Sequence, residues 1–260
     1  MSLSSNSSSD GAVRPIVSIK NVSKQFANGT LAVHNVNLDL KAGEFVSLLG
    51  PSGCGKSTLL RMMAGLGAPS AGTIDWPTPS HDLGFVFQDP TLMPWATALA
   101  NVMLPLKLKG GLSTSEMDAR AADMLALVGL AGFEKSYPRE LSGGMRMRVS
   151  IARALVMRPS ILLMDEPFAA LDEITRHRLN DDLLTLWSQR NFTAVFVTHS
   201  VFESVYLSQR IIVMAARPGR VMADLSVPNA YPRDDGFRTS VEYSQHCRVA
   251  SDCLKKAIAQ

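Results

Sequence analysis

A glycine-rich segment that ends in a lysine and two hydroxyl residues is the first feature of the sequence that could do chemistry. It reads Gly50-Pro51-Ser52-Gly53-Cys54-Gly55-Lys56-Ser57-Thr58. Glycines allow successive backbone N–H groups to turn inward around a phosphate, and a following helix adds the positive end of its dipole. In such a loop Lys56 reaches the β- and γ-phosphates of a nucleotide, and the Ser57 hydroxyl binds Mg²⁺. The segment therefore predicts a nucleotide-binding loop.

The elements around this loop are those that phosphate binding requires. Residues 45–49 form a continuous apolar run, typical of a buried strand, and residues 57–66 have the spacing of a helix that ends at Gly67. A glycine turn that only caps a helix is the alternative interpretation. Such a turn would need neither the Lys-Ser pair nor a strand before it, so we favour the phosphate loop.

An acidic pair ends a second apolar run. Residues 161–164 predict a buried strand, and Asp165 and Glu166 follow it directly. Beside a phosphate loop, Asp165 would bind Mg²⁺ through water, and Glu166 would point at the water that attacks the phosphate. Two acids after a strand also occur in surface turns, so this interpretation depends on the phosphate loop.

A second anion cradle is predicted at Ser142-Gly143-Gly144. These residues precede a predicted helix that runs through Met157 and ends before Pro159, so they lie at the positive end of a helix dipole. The phosphate loop already serves one γ-phosphate. A second cradle in the same chain makes sense if it serves the nucleotide bound by another copy.

The remaining pattern predicts the elements that must position these residues. Strands alternate with helices, and a helical insertion lies at about residues 89–158, where Ser113 and Glu116 form a capping box. The predicted strands are 17–22, 33–40, 83–87, 193–198 and 211–215, and the predicted helices include 174–189 and 201–207. We expect an α/β fold with a mixed sheet, flanking helices, a β-rich N-terminal part and an inserted α-helical subdomain.

Composition excludes several classes of protein. With 46% apolar and 19% charged residues the chain is globular, and its formal charge of +3 is too small to argue for nucleic acid. No apolar run approaches the roughly 20 residues of a membrane-spanning helix, and the serine-rich start does not read as a secretory signal. Three cysteines without CxxC spacing disfavour a disulfide framework or a zinc site.

The two ends of the chain are expected to be less ordered than the rest. Residues 1–14 predict a disordered tail, because serine, asparagine and glycine bury little apolar surface. Residues 226–260 form a C-terminal extension with little periodicity. Its basic residues could contact lipid, a partner or only water, and we favour a solvated surface: Arg233, Arg238, Arg248, Lys255 and Lys256.

The ordered set of motifs resembles the nucleotide-binding subunits of ABC transporters over residues 16 to about 225. Kinases and GTPases share the phosphate loop but lack the Ser-Gly-Gly element. The resemblance implies a P-loop NTPase core, with an ATPase domain over residues 15–225 that uses ATP and Mg²⁺. It further implies a head-to-tail homodimer, in which Lys56 and Ser57 of one copy face Ser142 and Gly144 of the other.

The resemblance also implies roles for residues outside these loops. Gln88 matches a glutamine that binds Mg²⁺ and signals to the membrane partner, with a solvated loop residue as the alternative. Asp172 matches a residue that contacts the opposing subunit, and it could at the same time be an N-cap. His199 matches a histidine that touches the γ-phosphate and supports Glu166 as the general base, with a structural histidine as the alternative. Phe26 matches an aromatic that stacks on adenine, with a core Phe as the alternative.

Three residues in the two loops raise separate questions. Met145 and Met147 stand where many members of the family have glutamine, which affects helix contacts but removes no donor from the cradle. Cys54 lies within the phosphate loop, where a helix N-terminus could lower its pKa. We interpret it as a small filler rather than a redox sensor.

A membrane partner is implied by the segment after Gln88. A Met-Pro-Trp cluster ending at Trp95 matches the groove that docks the coupling helices of a membrane subunit, with packing inside the insertion as the alternative. Together with Asn101 and the turn at residues 217–220, the cluster resembles the nitrate, sulfonate and taurine import group.

The import resemblance defines the expected partners and location. It implies permease subunits and, indirectly, a periplasmic or extracellular solute-binding protein, with no nucleic acid. The chain is then expected to be peripheral, on the cytoplasmic face of the inner membrane. A soluble ABC-type ATPase that drives cofactor assembly is the alternative.

Overall fold

The computed structural model describes residues 15–76, 83–228 and 230–259, so the predicted tail lies outside the described residues. The strands are β1 (Val17–Gln25), β2 (Leu31–Leu40), β3 (Phe45–Leu49), β4 (Ala71–Asp75), β5 (Leu83–Val86), β6 (Ile161–Asp165), β7 (Thr193–Thr198), β8 (Arg210–Ala215) and β9 (Arg220–Ser226). The helices are α1 (Lys56–Met63), α2 (Ala98–Lys109), α3 (Thr114–Leu127), α4 (Gly143–Leu155), α5 (Glu173–Arg190), α6 (Val201–Leu207), α7 (Asp235–Arg238) and α8 (Val241–Ile258). The predicted strands and helices are present, with small shifts at their ends.

A six-stranded sheet in the order β5-β6-β7-β3-β8-β9 carries the core. Its neighbouring strands are parallel except β8 and β9, which are antiparallel. Every residue of β3, β6 and β7 is buried, as is typical of parallel strands that are covered on both faces. Because these three strands are adjacent and parallel, their carboxyl ends lie side by side at one edge of the sheet.

A three-stranded antiparallel sheet, β2-β1-β4, forms the predicted β-rich N-terminal part. In β2, buried Val36, Leu38 and Leu40 alternate with exposed residues, as expected for a sheet with one solvated face. The buried face shares a hydrophobic core with Leu59 and Leu60 of α1. Strand β4 has no such alternation because its residues are mostly exposed, and the sequence therefore did not predict it.

The helical insertion consists of α2, α3 and α4, which lie between β5 and β6 in the chain. The predicted capping box is present at the start of α3, where the Ser113 hydroxyl accepts from the Glu116 N–H and the Glu116 carboxylate accepts from the Ser113 N–H. Buried apolar residues of the three helices join a core that includes Phe45 of β3. The insertion is thus packed on the large sheet.

The C-terminal segment has more regular structure than its sequence predicts. Helix α8 packs on β8, β9 and α6. Its buried residues Cys247, Ala250 and Ala257, together with Tyr243 and Leu254 that pack against the same core, recur at the spacing of an amphipathic helix. The prediction that this segment has little periodicity was therefore wrong.

Two of the basic residues predicted to be solvated are instead part of the packing. Arg233 is only 5% exposed, and its Nη1 donates to the carbonyl oxygens of Val205, Tyr206 and Ser208 at 2.8 to 2.9 Å. Helix α6 ends here, and the last carbonyls of a helix have no partner within it. A guanidinium carries five N–H donors and can serve several of them at once.

Arg238 is the second exception, because its Nη2 donates to Asp181 Oδ1 of α5 at 2.7 Å. Its guanidinium also lies over the ring of Tyr206, 3.7 Å from the centroid. The predicted solvent exposure was wrong for Arg233 and for this residue. The three remaining basic residues are exposed as predicted: Arg248, Lys255 and Lys256.

Candidate active site

The phosphate loop connects β3 to α1, as the sequence predicts. Gly53 and Gly55 have φ angles of 77° and 93°, in the left-handed region where glycine is favoured. At Gly55 a Cβ atom would lie 2.5 Å from the carbonyl oxygen of Ala32 in β2, so a side chain would also overlap the backbone. The loop conformation is therefore specific to glycine at this position.

A neighbouring turn holds the phosphate loop from the other side. Gly219 lies between β8 and β9, its N–H donates to the Ala32 carbonyl at 3.1 Å, and its carbonyl accepts from the His34 N–H at 2.8 Å. A Cβ atom there would overlap the carbonyl oxygen of Cys54. In the sequence this residue stands out only as part of a turn that matches a family motif. Its signal was the glycine itself, which permits close backbone contact.

Lys56 is directed back over the loop. Its side chain is 3% exposed, and Nζ donates to the carbonyl oxygens of Gly50 at 2.8 Å and Pro51 at 2.9 Å. The same Nζ lies 3.5 Å from Glu166 Oε1. A buried ammonium needs such partners, because burial without them would favour the uncharged form.

Oxygen donors suited to Mg²⁺ meet where β6 ends and α1 begins. The Ser57 hydroxyl donates to Asp165 Oδ1 at 2.6 Å, and Asp165 is 4% exposed. Gln88 follows β5, the strand that pairs with β6, and its side chain is exposed. Hydroxyl, carboxylate and amide oxygens are hard ligands of the kind that Mg²⁺ takes together with phosphate and water. Ser57 and Asp165 therefore fit the predicted ion, and a contribution from Gln88 stays a prediction.

Glu166 lies between a lysine and a histidine. Its Oε2 is 3.0 Å from His199 Nδ1, and its backbone N–H donates to the Val197 carbonyl at 3.1 Å. Its φ of 46° is unusual for a residue with a long side chain and is the kind of strain found at functional sites. Because the carboxylate accepts, the proton of a neutral His199 resides on Nδ1.

The second cradle is built on the start of α4. The Ser142 side chain is exposed and caps the helix by accepting from the Met145 N–H at 3.3 Å. Gly144 is buried, and a Cβ atom there would lie 2.7 Å from Cγ2 of Thr175 in α5. Gly144 is therefore required for close helix packing, so the cradle rests directly on the start of α5.

The residues that raised questions in the two loops are apolar packing elements. Met147 is buried in the main core and Met145 is partly buried against it, so both replace polar helix contacts by apolar ones. Cys54 is 1% exposed, and burial raises the pKa of its thiol. The structure agrees with its interpretation as a filler.

Asp172 caps α5, which was one of its two predicted roles. Its carboxylate accepts from the Thr175 N–H at 2.9 Å, and this backbone hydrogen bond lowers the pKa of Asp172. The side chain is fully exposed and ionised at neutral pH. A contact with an opposing subunit stays a prediction.

Phe26 and Trp95 are both exposed, which excludes the interpretation that either side chain is packed inside the protein. Phe26 is 45% exposed in the turn between β1 and β2, so it is not a core residue, and stacking on adenine stays a prediction. Trp95 is 77% exposed and does not pack the insertion. An exposed indole on a fixed segment is a typical interface residue.

The segment that presents Trp95 is held by two polar side chains. Asn101 is fully buried: its Oδ1 accepts from the Met93 N–H at 2.7 Å, and its Nδ2 donates to the carbonyls of Ala96 at 3.1 Å and Thr97 at 3.0 Å. Arg153 of α4 donates to the carbonyls of residues 90 and 91. The segment after Gln88 is thus tied to the helical insertion.

A mixed sheet with a phosphate loop after β3, an acidic pair after β6 and a Ser-Gly-Gly helix start in an inserted helical region defines an ATP-binding cassette. Comparison with known proteins agrees. A family model described as "ABC transporter" matches residues 33–169. The chain belongs to the ABC transporter family, and it is an ATPase that uses ATP and Mg²⁺.

Relatives align with this chain over nearly its whole length. It is 45% identical to an uncharacterized ABC transporter ATP-binding protein of Methanocaldococcus jannaschii, over 92% of this chain and 91% of the relative. It is also 45% identical to the aliphatic sulfonates import ATP-binding protein SsuB of Bacillus anthracis, over 88% of this chain and 92% of the relative.

A solved structure of a dimeric ATP-binding cassette in a post-hydrolysis state, bound to ADP and Pi, covers 83% of this chain and 100% of that chain. Its TM-score is 0.72 and its sequence identity is 37%. Among the described residues of the present chain, no helix is both long and apolar enough to cross a bilayer.

Proposed function

We propose that this chain is the ATPase subunit of an importer for a small anionic or sulfonate-like solute, of the nitrate, sulfonate and taurine type. Relatives named as aliphatic sulfonates import ATP-binding proteins, 45% identical to this chain, support the import role. The observation that carries the link to a membrane partner is the exposed Trp95 on a fixed segment beside Gln88.

In this proposal two copies close around two ATP molecules. The phosphate loop of one copy, residues 50–58, holds the phosphates of its nucleotide, and the cradle of the other copy contacts the same γ-phosphate through Ser142, Gly143 and Gly144. Phe26 stacks on the adenine, and Asp172 contacts the opposing subunit. The dimeric cassette that resembles this chain supports such an assembly.

Hydrolysis uses Glu166 as the general base. Its carboxylate takes a proton from the attacking water while the water oxygen bonds to the γ-phosphorus and the bond to the β–γ bridging oxygen breaks, which releases ADP and phosphate. His199, 3.0 Å from this carboxylate, holds it in line. Lys56 stabilises the β- and γ-phosphates, and Ser57, Asp165 and Gln88 would hold Mg²⁺, which would supply charge neutralisation.

Coupling to transport follows from closure and reopening of the dimer. The γ-phosphate connects the two copies, so its release removes the contact that holds the cradles together. Gln88 joins the ion site to the segment that ends at Trp95, and this segment receives a short helix of the membrane subunit. Opening and closing then move the membrane subunits.

Affinity purification of a tagged Glu166→Gln variant tests this function. The variant retains ATP, and gentle solubilisation with Mg·ATP should recover a polytopic membrane protein that mass spectrometry identifies. Adding Trp95→Ala should remove the membrane protein from the preparation. The matched control is Leu108→Ala, because Leu108 is 79% exposed on the same helical insertion and should change nothing.

Each result separates transport from the alternative. Recovery of only soluble proteins, with normal ATP hydrolysis by the parent, would favour a soluble ATPase of cofactor assembly over an importer. If Glu166→Gln recovers the membrane protein equally well with and without Trp95→Ala, the import function is still supported, but Trp95 is not part of the docking surface. Uptake of a labelled alkanesulfonate by cells with and without the chain would then test the solute class.

A further inference from the structure

Two segments of this chain serve different nucleotide sites in the proposed dimer. The loop at residues 167–172 carries Asp172 toward the opposing subunit, whereas the end of β7 carries His199 toward the nucleotide of the same copy. Coordinated hydrolysis requires that these two segments keep a fixed relation. The structure contains a pair of side chains between them, Arg176 of α5 and Glu203 of α6.

Arg176 holds the first segment. It lies one turn into α5, and its Nη2 donates to the carbonyl oxygen of Leu171 at 2.8 Å. Leu171 immediately precedes Asp172, which caps the same helix. Arg176 therefore fixes the backbone on the loop side of Asp172.

Glu203 holds the second segment. It is 7% exposed, and its Oε2 accepts from the Thr198 hydroxyl at 2.5 Å. The same hydroxyl oxygen accepts from the Ser200 N–H at 3.0 Å. Glu203 thus fixes, through Thr198, the residues on both sides of His199.

The two holders face each other. Arg176 Nε and Glu203 Oε1 form an ion pair at 3.9 Å, too long for a hydrogen bond, and neither buried atom has a hydrogen-bond partner in the described part of the chain. A buried guanidinium N–H and a buried carboxylate oxygen each need a partner of opposite polarity, and removing either leaves the other uncompensated. The pair is therefore a direct electrostatic connection between α5 and α6.

We infer that Arg176 and Glu203 are positioning residues for ATP hydrolysis, which hold the Asp172 loop and His199 in a fixed relation. The inference rests on the proposed roles of Asp172 and His199. Neither Arg176 nor Glu203 touches the nucleotide. They act through His199, which holds Glu166 at 3.0 Å.

The Glu203→Gln variant tests the pair with little change in volume. Its amide oxygen still accepts from Thr198, while its NH₂ group meets the Arg176 N–H as a second donor. We expect kcat for ATP hydrolysis to fall about tenfold, since small displacements of catalytic groups have effects of this order or larger. The KM for ATP should stay within twofold, because the phosphate loop is untouched.

Arg176→Gln and Arg176→Lys test the arginine of the pair by the same measurement, the kcat for ATP hydrolysis. The lysine keeps the positive charge and helix propensity, but one ammonium cannot reach both Leu171 and Glu203, so kcat should fall similarly. If Arg176→Gln does not fold, Arg176→Lys still tests the role of Arg176. Arg178→Gln is the control, because Arg178 is exposed on the same helix and should leave kcat unchanged.

A double-variant comparison shows whether the pair acts through His199. In a His199→Ala background, single-turnover hydrolysis with enzyme in excess should change less than twofold when Glu203→Gln is added. The Arg176→Lys/Glu203→Gln double variant should be no slower than the slower single variant. If the pair had a purely structural role, Glu203→Gln would lower the hydrolysis rate in the His199→Ala background by the same factor as in the parent.

The inference is overturned if Glu203→Gln and Arg176→Lys hydrolyse ATP within twofold of the parental kcat. It is also overturned if the losses in the His199→Ala background are undiminished. When His199→Ala is impaired but Glu203→Gln is not, only the connection fails. When His199→Ala itself has the parental rate, the proposed role of His199 fails and the connection fails with it.

Discussion

Replacing Arg233 by methionine should destabilise the chain by removing the donors that close α6. The guanidinium serves the carbonyl oxygens of Val205, Tyr206 and Ser208 through Nη1 and that of Val227 through Nη2. A hydrogen bond from a charged group contributes roughly 1.5–3 kcal/mol, and unpaired buried carbonyls cost a comparable amount. Methionine has a similar volume. Because it carries no charge, the variant also avoids the free-energy cost of burying the guanidinium, which offsets part of the loss.

From these opposing terms we expect the free energy of unfolding to fall by about 3 kcal/mol. This corresponds to a decrease in Tm of roughly 6–12 °C for a chain of this size. Because α6 begins two residues after His199, kcat for ATP hydrolysis should fall as well. This loss of activity is predicted even though Arg233 is far along the chain from the nucleotide-binding loops.

Urea unfolding followed by circular dichroism measures the effect. The matched control is Arg248→Met, because Arg248 is exposed on α8 and should change stability by less than about 0.5 kcal/mol. A change of less than about 1 kcal/mol in Arg233→Met, or an effect equal to that of Arg248→Met, would refute the reasoning. In that case water would have to satisfy the carbonyls at the end of α6.

Three further predictions concern the nucleotide sites. Glu166→Gln should bind ATP and form a dimer on size-exclusion chromatography, while hydrolysis falls by roughly 10²- to 10³-fold; hydrolysis at the parental rate would contradict the assignment of the general base. Adding Gly144→Ala to that variant should weaken ATP-dependent dimer formation while the monomer still binds ATP, because the new Cβ would lie 2.7 Å from Thr175 Cγ2; an unchanged dimer fraction would show that α4 and α5 adjust. Phe26→Ala should raise the Kd for ATP about tenfold, since stacking of a base on an aromatic ring contributes about 1–3 kcal/mol, and an unchanged Kd by calorimetry would exclude stacking.

The elements next to the phosphate loop could be predicted because local sequence determines them. Strands β3, β6 and β7 are buried on both faces and appear as continuous apolar runs. Strand β4 could not be found, because its exposed residues have no pattern. Helix α8 could have been predicted, because Tyr243, Cys247, Ala250, Leu254 and Ala257 recur at helical spacing.

The pairings in the site depend on strand order, which local patterns do not reveal. Ser57 and Asp165 are 108 positions apart in sequence, yet their side chains are hydrogen-bonded at 2.6 Å. His199 and Glu166 meet because β6 and β7 are adjacent, and family resemblance predicted this contact. Nothing in the sequence indicated that Arg233 is buried, because its partners are backbone carbonyls that every residue type provides.

The close contact of Gly219 with Ala32 and Cys54 affects how binding energy is distributed. The phosphate loop is packed against β2 on one side and the turn between β8 and β9 on the other. Its backbone is therefore ordered when the chain folds, before any nucleotide arrives. The favourable free energy of ATP binding is then not reduced by the entropy of ordering a loop, and more of it remains available to bring two copies together.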